Sequence, residues 1–325
     1  MSSRPAWIAV VGAGRMGEGI ALAFAMAGVA VRLIDARPRE AMAFDTLAHG
    51  IRQRLSVDLD FLAREQLVAD SGRVRERVTV HPLAGAASAL AGATLVFEAV
   101  PEVLAVKRDV FAWLTPLVPA TCCIASTTST LLVDTLADGV DRPERFLNAH
   151  WLNPAHLMPL VELSYGRQTS AAVVDRLAAV LESIGKVATR MGAAPGYVVP
   201  RLQALVMNEA ARMVEEGVGT AEEIDKAVRV GFGLRFAVLG LLEFIDWGGG
   251  DILYYASRYL QGAVDAQRYA LPDIVARNMQ EGRNGLRDGQ GFYDYRDMDT
   301  DAYREARLRQ FVAMLRHLAL LPASE

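Results

Sequence analysis

Cysteine, lysine and long apolar runs are scarce in this 325-residue chain, and each scarcity excludes a class of protein. Its two cysteines, Cys122 and Cys123, are adjacent in an apolar stretch, so they can form neither a disulfide framework nor a metal site. We expect them to be buried thiols in a reducing cytoplasm. No apolar run reaches about 18 residues without a charge or an interruption, which excludes a membrane-spanning helix.

The charge balance excludes a further class of partner. The formal net charge is −4, so we expect no nucleic-acid or acidic-surface partner. With 52% hydrophobic and 22% charged residues the composition is that of an ordinary globular protein, and the length suffices for two domains. Because the chain passes from Met1 into an apolar run within a few residues, we expect no signal peptide and a cytoplasmic location.

Residues 7–35 contain the strongest pattern in the sequence. An apolar run at 7–11 is typical of a buried parallel strand. The stretch Gly12-Ala13-Gly14-Arg15-Met16-Gly17 follows it and opens an apolar helix, and a second apolar run at 29–34 ends in Asp35. This order of strand, glycine turn, helix, strand and acid predicts a dinucleotide-binding unit of the Rossmann type.

The predicted cofactor contacts of this unit are Gly12, Gly14, Met16, Gly17 and Asp35. Gly12 permits the tight turn, Gly14 lets a pyrophosphate approach the backbone, and Gly17 lets the helix lie close on the strand. Asp35 suits the hydroxyls of an adenosine ribose and would repel a 2′-phosphate, which favours NAD. Arg37, two residues further on, keeps NADP open as the alternative.

The composition of the chain changes near Gly192. Before that point, strand-like apolar runs alternate with helical stretches, and a helical insertion follows the second strand at 38–76. After it nearly every stretch has helical periodicity, apart from a short strand expected at 292–295. We therefore predict an α/β fold: a Rossmann-type doubly wound sheet over 1–191, followed by a smaller all-helical domain with a helical tail over 192–325.

Two groups of polar residues indicate chemistry. Ser126–Thr130 follow a predicted strand, at the edge of a parallel sheet where ligands bind, although helix capping would also explain them. His150 and Glu162 lie on successive strands joined by one loop. The glutamate can therefore accept a hydrogen bond from one imidazole nitrogen while the other faces a substrate, which suits proton transfer. Taken alone, a strand histidine near an acid is more often structural, but here the pair follows a complete dinucleotide-binding pattern. His156, in the loop itself, is the alternative base.

Taken together, these stretches resemble the L-3-hydroxyacyl-CoA dehydrogenase family over nearly the whole chain. The similar segments are GAGRMG (12–17), EAVPE with Lys107 (98–107), STTSTL (126–131), NAHWLNPAHLMPLVEL (148–163), PGYVVPRL (195–202) and GQGFYDY (289–295). The resemblance implies that His150 is the catalytic base with Glu162 as its partner, and that Ser129 and Asn153 contact substrate or nicotinamide. It also implies that Glu102 and Lys107 flank the nicotinamide-side ribose and that the helical domain forms a homodimer.

Three departures from the family pattern bear on the substrate. Pro200 stands where the family usually has an asparagine near a helix start, and proline cannot donate a hydrogen bond. Residues 38–76 contain no lysine, whereas acyl-CoA members carry a lysine-rich arm there. Arg235 stands where acyl-CoA members typically have a Gly-x-Gly-Tyr-Pro string, and an arginine there resembles the branch of the family that acts on free acids such as carnitine and gulonate. A guanidinium can bind a free carboxylate through two hydrogen bonds. A surface or interface salt bridge is the other explanation for Arg235. The tail after Tyr295 resembles that of a dehydrogenase in pyridoxine breakdown.

The sequence thus favours NAD-dependent oxidation of the 3-hydroxyl of a free 3-hydroxy acid, with a CoA thioester such as 3-hydroxybutyryl-CoA as the alternative substrate. The related 3-hydroxyisobutyrate and 6-phosphogluconate dehydrogenases use a lysine on the first long inter-domain helix, and residues 195–217 contain none. A non-catalytic dinucleotide-binding protein, like the lens crystallins of this fold, stays open because of Pro200. No metal site and no membrane contact are predicted.

Overall fold

The computed structural model describes residues 4–321, and the outer ends of the predicted domain ranges, 1–3 and 322–325, lie outside them. The chain divides into two compact units, Met1–Met207 and Asn208–Glu325. The strands are β1 (Trp7–Val11), β2 (Ala30–Ile34), β3 (Val78–His81), β4 (Leu95–Glu98), β5 (Cys123–Ser126), β6 (Phe146–Trp151), β7 (Leu160–Tyr165) and β8 (Val187–Gly192).

The helices follow the same chain order. Those of the first unit are α1 (Arg15–Met26), α2 (Ala41–Arg64), α3 (Ser71–Glu76), α4 (Ala86–Leu90), α5 (Leu104–Leu114), α6 (Val133–Ala137) and α7 (Ala171–Ser183). Helix α8 (Val199–Glu215) runs across the division in the sequence. The second unit continues with α9 (Ala221–Ala227), a π-helical turn (Val228–Phe232), α10 (Gly233–Val238), α11 (Leu241–Gly248), α12 (Gly250–Ala263), α13 (Asp273–Gln280) and α14 (Thr300–His317).

The eight strands form one sheet in the order β3-β2-β1-β4-β5-β6-β7-β8. Every pairing is parallel except that of β6 with β7, which is antiparallel. The strand order reverses between β1 and β4, and ligands bind at such a reversal, outside the carboxyl ends of the strands. The predicted α/β fold, a Rossmann-type sheet followed by a helical segment, is confirmed.

Strand β1 shows why its sequence is apolar throughout. Ile8 and Val10 are fully buried in one hydrophobic cluster, and the alternate residues Ala9 and Val11 are fully buried in another. Side chains alternate between the faces of a sheet, and helices cover both faces of this one. A continuous apolar run is therefore what the position of β1 demands.

The second unit has a different packing pattern. Among its described residues, only four apolar side chains are buried, and these are Leu239, Val275, Leu286 and Tyr295. Many other apolar side chains on its helices are exposed, including Ile252 at 62% and Tyr259 at 73%. A helical unit normally buries one apolar stripe of each helix, so much apolar surface of this chain is left uncovered.

The prediction of a short strand at 292–295 is wrong. Residues there form a turn with an isolated bridge between Gln290 and Asp294. The carboxylate of Asp246, only 2% exposed, accepts the backbone N–H groups of Phe292 and Tyr293 at 2.9 Å each. These N–H groups are therefore satisfied by one buried side chain rather than by a neighbouring strand.

Candidate active site

The carboxyl ends of β1 and β2 open onto a cavity of about 690 Å³. Its lining includes Gly12, Gly14, Met16, Asp35, Arg37, Arg39 and Val100. Gly12 has φ 116°, and a Cβ there would lie 2.5 Å from the carbonyl oxygen of Ala99. A Cβ on Gly17 would lie 1.9 Å from the oxygen of Gly12, whereas Gly14 has no such neighbour within 4 Å. The turn is thus packed against backbone atoms at Gly12 and Gly17 and open at Gly14. This fits a dinucleotide whose pyrophosphate approaches the backbone at Gly14.

Asp35 lies at the far end of the same cavity and is 5% exposed. One of its oxygens accepts a 2.5 Å hydrogen bond from Nε of Arg39, and the other accepts a 3.3 Å bond from the backbone N–H of Arg37. A ribose hydroxyl would share this carboxylate with Arg39. Two arginines therefore adjoin the acid that the sequence predicts to repel a 2′-phosphate.

Glu98, the last residue of β4, is fully buried beneath the cavity. Its two oxygens accept from Nζ of Lys107 at 2.9 and 3.1 Å, and one also accepts from Oγ of Ser126 at 2.6 Å. Lys107 is itself 0% exposed, and its Nζ lies 3.5 Å from Glu102. The structure thus brings Lys107 chiefly to Glu98, and this buried ion pair ties together β4, β5 and α5.

Glu102 holds the polar loop that follows β5. A single oxygen of Glu102 accepts from the hydroxyl of Thr128 at 2.5 Å and from the backbone N–H groups of Ser129 and Thr130 at 3.0 and 2.9 Å. Burial alone would raise the pKa of Glu102, but these donors and the charge of Lys107 lower it below its usual range. The side chain of Ser129 is left exposed at the surface of the loop.

His150 and Glu162 face each other across the antiparallel pair β6 and β7, where they are register partners. Nδ1 of His150 lies 2.8 Å from a carboxylate oxygen of Glu162, and the two residues are 6% and 0% exposed. An ionised carboxylate can only accept hydrogen bonds, so Nδ1 carries the proton and donates it. The other ring nitrogen, Nε2, is then free to accept a proton from a bound molecule.

The second oxygen of Glu162 binds the start of α8. It accepts from the backbone N–H groups of Val198 and Val199 at 3.0 and 2.9 Å, beside Pro200 in the first helical turn. Burial would raise the pKa of Glu162, but the hydrogen bonds from His150, Val199 and Val198 lower it below its usual range. The carboxylate therefore stays ionised although it is shielded from water.

Asn153 lies in the loop that joins β6 to β7, and its side chain is exposed. Lys186, 7% exposed, holds this loop from below by donating to the carbonyl oxygens of Ala155 and Met158 at 2.8 Å each and of His156 at 3.3 Å. Burial lowers the pKa of Lys186 to about 8 and also lowers the pKa of His156. The position of Asn153 thus depends on a buried lysine.

A second cavity, of about 880 Å³, lies between α1, α2 and the Asn153 loop. Arg54 on α2 reaches into it, but its guanidinium makes two hydrogen bonds to Glu18, of 2.9 and 2.8 Å. Asp58 adds a further negative charge to the lining. Of the two arginines that line this cavity, Arg54 is therefore already neutralised by an acid of the same protein, whereas Arg15 is not part of that ion pair.

Arg235 is exposed on α10, in the second unit. Its guanidinium lies 5.6 Å from the centre of the Phe244 ring. Within the described part of the chain no carboxylate comes within 4.0 Å of it, so Arg235 forms no surface salt bridge there, and an interface salt bridge stays a prediction. The guanidinium is available to another anion.

Sequence reasoning missed four contributors to the site: Glu98, Lys186, the ion pair of Glu18 with Arg54, and Tyr197, whose ring stacks on that of His150. Glu98 was within reach, because an acid that ends a fully apolar strand must have a buried partner. The others depend on contacts between distant segments.

Across residues 4–321, no group of three His, Cys, Asp or Glu side chains is placed to hold a metal ion, and none of the helices is long and apolar enough to span a bilayer.

Comparison with known proteins gives one family. Residues 7–194 match the NAD binding domain of 3-hydroxyacyl-CoA dehydrogenase, and residues 196–295 match its C-terminal domain. The chain is 30% identical over 315 residues to 5-formyl-3-hydroxy-2-methylpyridine 4-carboxylate 5-dehydrogenase of Mesorhizobium japonicum, covering 96% of this chain and 97% of the relative.

Two further proteins give the same result. The probable 3-hydroxybutyryl-CoA dehydrogenase of Bacillus subtilis is 31% identical over 290 residues, which cover 89% of this chain and 97% of the relative. The crystal structure of a 3-hydroxyacyl-CoA dehydrogenase from Archaeoglobus fulgidus superposes with a TM-score of 0.76 at 30% identity, covering 98% of this chain and 100% of that one.

Proposed function

Because the chain belongs to the 3-hydroxyacyl-CoA dehydrogenase family and is an NAD-dependent oxidoreductase acting on CH–OH groups, we propose that it oxidises the 3-hydroxyl of a free 3-hydroxy carboxylate to the 3-oxo acid. The single observation that carries the mechanism is the hydrogen bond from Nδ1 of His150 to Glu162. It leaves Nε2 of His150 as a proton acceptor held by a buried carboxylate.

In this mechanism His150 acts as the general base. Nε2 takes the proton of the substrate hydroxyl, and Glu162 remains ionised and stabilises the imidazolium that forms. The glycine turn and Asp35 would hold NAD, which would supply the acceptor for the hydride that leaves the same carbon. Ser129 and Asn153 orient the substrate oxygen, and Glu102 positions the loop that carries Ser129. In the reverse direction the imidazolium returns its proton to the carbonyl oxygen.

The choice of a free acid rests on charge. A CoA thioester brings several phosphate charges, and a site for them needs unpaired cations. In the cavity beside Asn153, Arg54 is already paired with Glu18 and Asp58 would repel a phosphate, which leaves Arg15 as the one other arginine of the lining. The relative from Mesorhizobium japonicum is named for a substrate with a free carboxylate. Both observations favour a small carboxylate over a thioester.

The test compares the two substrate classes with the same purified protein. NADH formation is measured with free L-3-hydroxy acids, carnitine included, and with L-3-hydroxybutyryl-CoA. We expect kcat/KM to be at least about tenfold higher for a free acid, because one charge-assisted hydrogen bond contributes about 1.5 kcal/mol or more and about 1.4 kcal/mol corresponds to a factor of ten. His150→Ala should lower kcat by about a thousandfold while NAD still binds. Preference for the thioester, or a nearly unchanged rate in His150→Ala, would contradict the proposal.

We further propose that Arg235 binds the substrate carboxylate and that residues 192–325 form the substrate domain. Arg235→Ala should raise KM for the free acid by about 10- to 100-fold, the loss of a charge-assisted hydrogen bond of about 1.5–3 kcal/mol. Arg229→Ala is the matched control, because Arg229 is an exposed arginine six residues earlier in the chain that pairs with Asp225. Equal effects of the two substitutions would show that Arg235 acts only through general charge.

The same helical domain is proposed to form a homodimer. Its helices leave apolar side chains exposed, such as Ile252 and Tyr259, and few are buried within the unit. Covering such surface with a second copy is the usual way in which it is stabilised. Light scattering coupled to size-exclusion chromatography should give twice the chain mass of 35.3 kDa. A monomer at micromolar concentration would contradict this arrangement.

A further inference from the structure

Tyr197 lies against the ring of His150. The two ring centres are 5.3 Å apart, and the ring planes differ by 15°, so the rings are stacked. The tyrosine is 5% exposed, which means that it also shields one face of the imidazole from water. None of the roles assigned above uses this residue.

The tyrosine ring is fixed at its far end by two hydrogen bonds. Its hydroxyl donates to the carbonyl oxygen of Thr128 at 3.0 Å and accepts from the side-chain amide of Asn148 at 2.9 Å. Asn148 lies on β6, two residues before His150, and Thr128 lies in the loop that Glu102 holds. The ring is therefore anchored to both of the elements that border the imidazole.

The backbone of Tyr197 is in an unusual conformation. Its φ is 49°, in the left-handed region that large side chains rarely adopt, and it follows Gly196 with φ 72°. Such a conformation persists only where the surroundings hold it, and it is found preferentially at functional sites. Immediately after it, the N–H groups of Val198 and Val199 bind Glu162. One short segment thus contacts both members of the His150–Glu162 pair.

We propose that Tyr197 is a positioning residue that fixes the plane of the His150 imidazole, an inference that rests on the proposed role of His150 as base. The hydrogen bond to Glu162 fixes where Nδ1 points, but it still lets the ring tilt about that bond. A parallel ring that is itself anchored removes the tilt, and Nε2 is then aimed in one direction. Small losses of alignment at a reacting atom reduce rates by up to about a hundredfold.

The experiment separates the ring from its hydroxyl. Tyr197→Leu should lower kcat at least about tenfold while changing KM and the Kd for NAD less than about threefold, because a base that binds normally is aimed badly. Tyr197→Phe keeps the stacked ring in its buried position and loses only the two hydroxyl hydrogen bonds, so its kcat should lie between those of wild type and Tyr197→Leu, within about threefold of wild type. Phe111→Leu is the control, because Phe111 is a fully buried ring that packs edge-on against Phe146 in the same unit. Tyr197→Met replaces the leucine variant if that variant does not fold.

A second readout needs no substrate. The Nδ1 proton of His150, assigned by its loss in His150→Ala, gives a downfield NMR signal whose exchange with water is measured directly. We expect exchange at least about tenfold faster in Tyr197→Leu and little changed in Tyr197→Phe. If wild-type protein turned over no hydroxy acid, the proposed function would fail, yet this signal would still decide the role of Tyr197. The inference is overturned by unchanged kcat or exchange in Tyr197→Leu, by equal loss in Tyr197→Phe, or by equal loss in Phe111→Leu.

Discussion

Glu162→Gln is the substitution that tests the proposed chemistry most directly. One oxygen of Glu162 accepts two backbone N–H groups, from Val198 and Val199, and the other accepts Nδ1 of His150. A glutamine can keep the two backbone bonds only if its carbonyl oxygen faces α8. Its NH₂ group then faces Nδ1, which must become an acceptor. The proton moves to Nε2, and the nitrogen that faces the substrate can no longer take one.

The expected loss of activity follows from this tautomer. An amide in place of the carboxylate behind a catalytic histidine lowers kcat by about ten-thousandfold in the serine-protease triad, and we expect about 10³- to 10⁴-fold here. The loss should lie in kcat, with the Kd for NAD unchanged, because Glu162 is not among the residues that line the cofactor cavity. NADH formation under saturating substrate measures it. A variant that kept more than a tenth of the wild-type kcat would refute the assignment of base and partner.

The same substitution has a stability consequence that depends on pH. Replacing three charge-assisted hydrogen bonds by neutral ones should cost about 2–3 kcal/mol at neutral pH, measured by urea denaturation. Because folding lowers the pKa of Glu162, its contribution is present above the ordinary carboxyl value and is lost as pH falls through the lowered one. The difference between wild type and variant should therefore shrink in acid. Glu243→Gln is the control, since Glu243 also accepts several donors but lies in the second unit; it should lose stability and keep kcat.

Three further predictions concern other parts of the first unit. Burial raises the pKa values of Cys122 and Cys123 to about 12 and about 11, so neither thiol should react with Ellman's reagent at pH 8 until the protein is unfolded, and rapid reaction of the native protein would be inconsistent with their burial. Asp35→Ala should lower kcat/KM for NAD about tenfold and raise the ratio of NADP to NAD turnover, because Arg37 and Arg39 then face a 2′-phosphate without the acid; an unchanged ratio would argue against their reach. Lys186→Met should lower the free energy of unfolding, measured by urea denaturation, by about 2–4 kcal/mol, because three carbonyl groups lose their donor. Lys186→Arg should recover part of that free energy.

The cofactor half of the molecule could be predicted from the sequence because its determinants are local. A glycine turn, an apolar strand on either side of it and an acid about 20 residues on specify the unit within 29 residues of chain, from Trp7 to Asp35. The facing of His150 and Glu162 likewise follows from short range, since two strands joined by one loop pair in antiparallel register. Patterns of this kind can be recognised without any knowledge of the rest of the fold.

What the sequence concealed are contacts between distant segments. Tyr197 stacks on His150 although the two residues lie 47 positions apart in the chain, and its backbone has a positive φ. Arg54 meets Glu18 across 36 residues, so its charge could not be known to be neutralised. The strand expected at 292–295 failed for a similar reason: Asp246, a buried acid in another helix, takes the N–H groups that a strand would need. Local propensity is silent about such partners.

Pro200 can now be interpreted through the hydrogen bonds at the start of α8. The N–H groups of Val198 and Val199 bind Glu162, those of Arg201 and Leu202 bind the carbonyl oxygens of Gly196 and Val198, and proline has no N–H at all. Every donor of this helix start is therefore used inside the protein, and none is left for a substrate. The positive end of the helix stabilises the negative charge of Glu162 instead. Whatever contact the family asparagine makes must come here from side chains on other elements, and Ser129 and Asn153 are the exposed polar residues on the two loops concerned. If Ser129 and Asn153 can each replace the other at one substrate oxygen, the double substitution Ser129→Ala with Asn153→Ala should raise the activation free energy by more than the sum of the two single substitutions. The measurement is kcat/KM of the three variants and the wild type. Simple additivity would show that the two side chains bind separate groups.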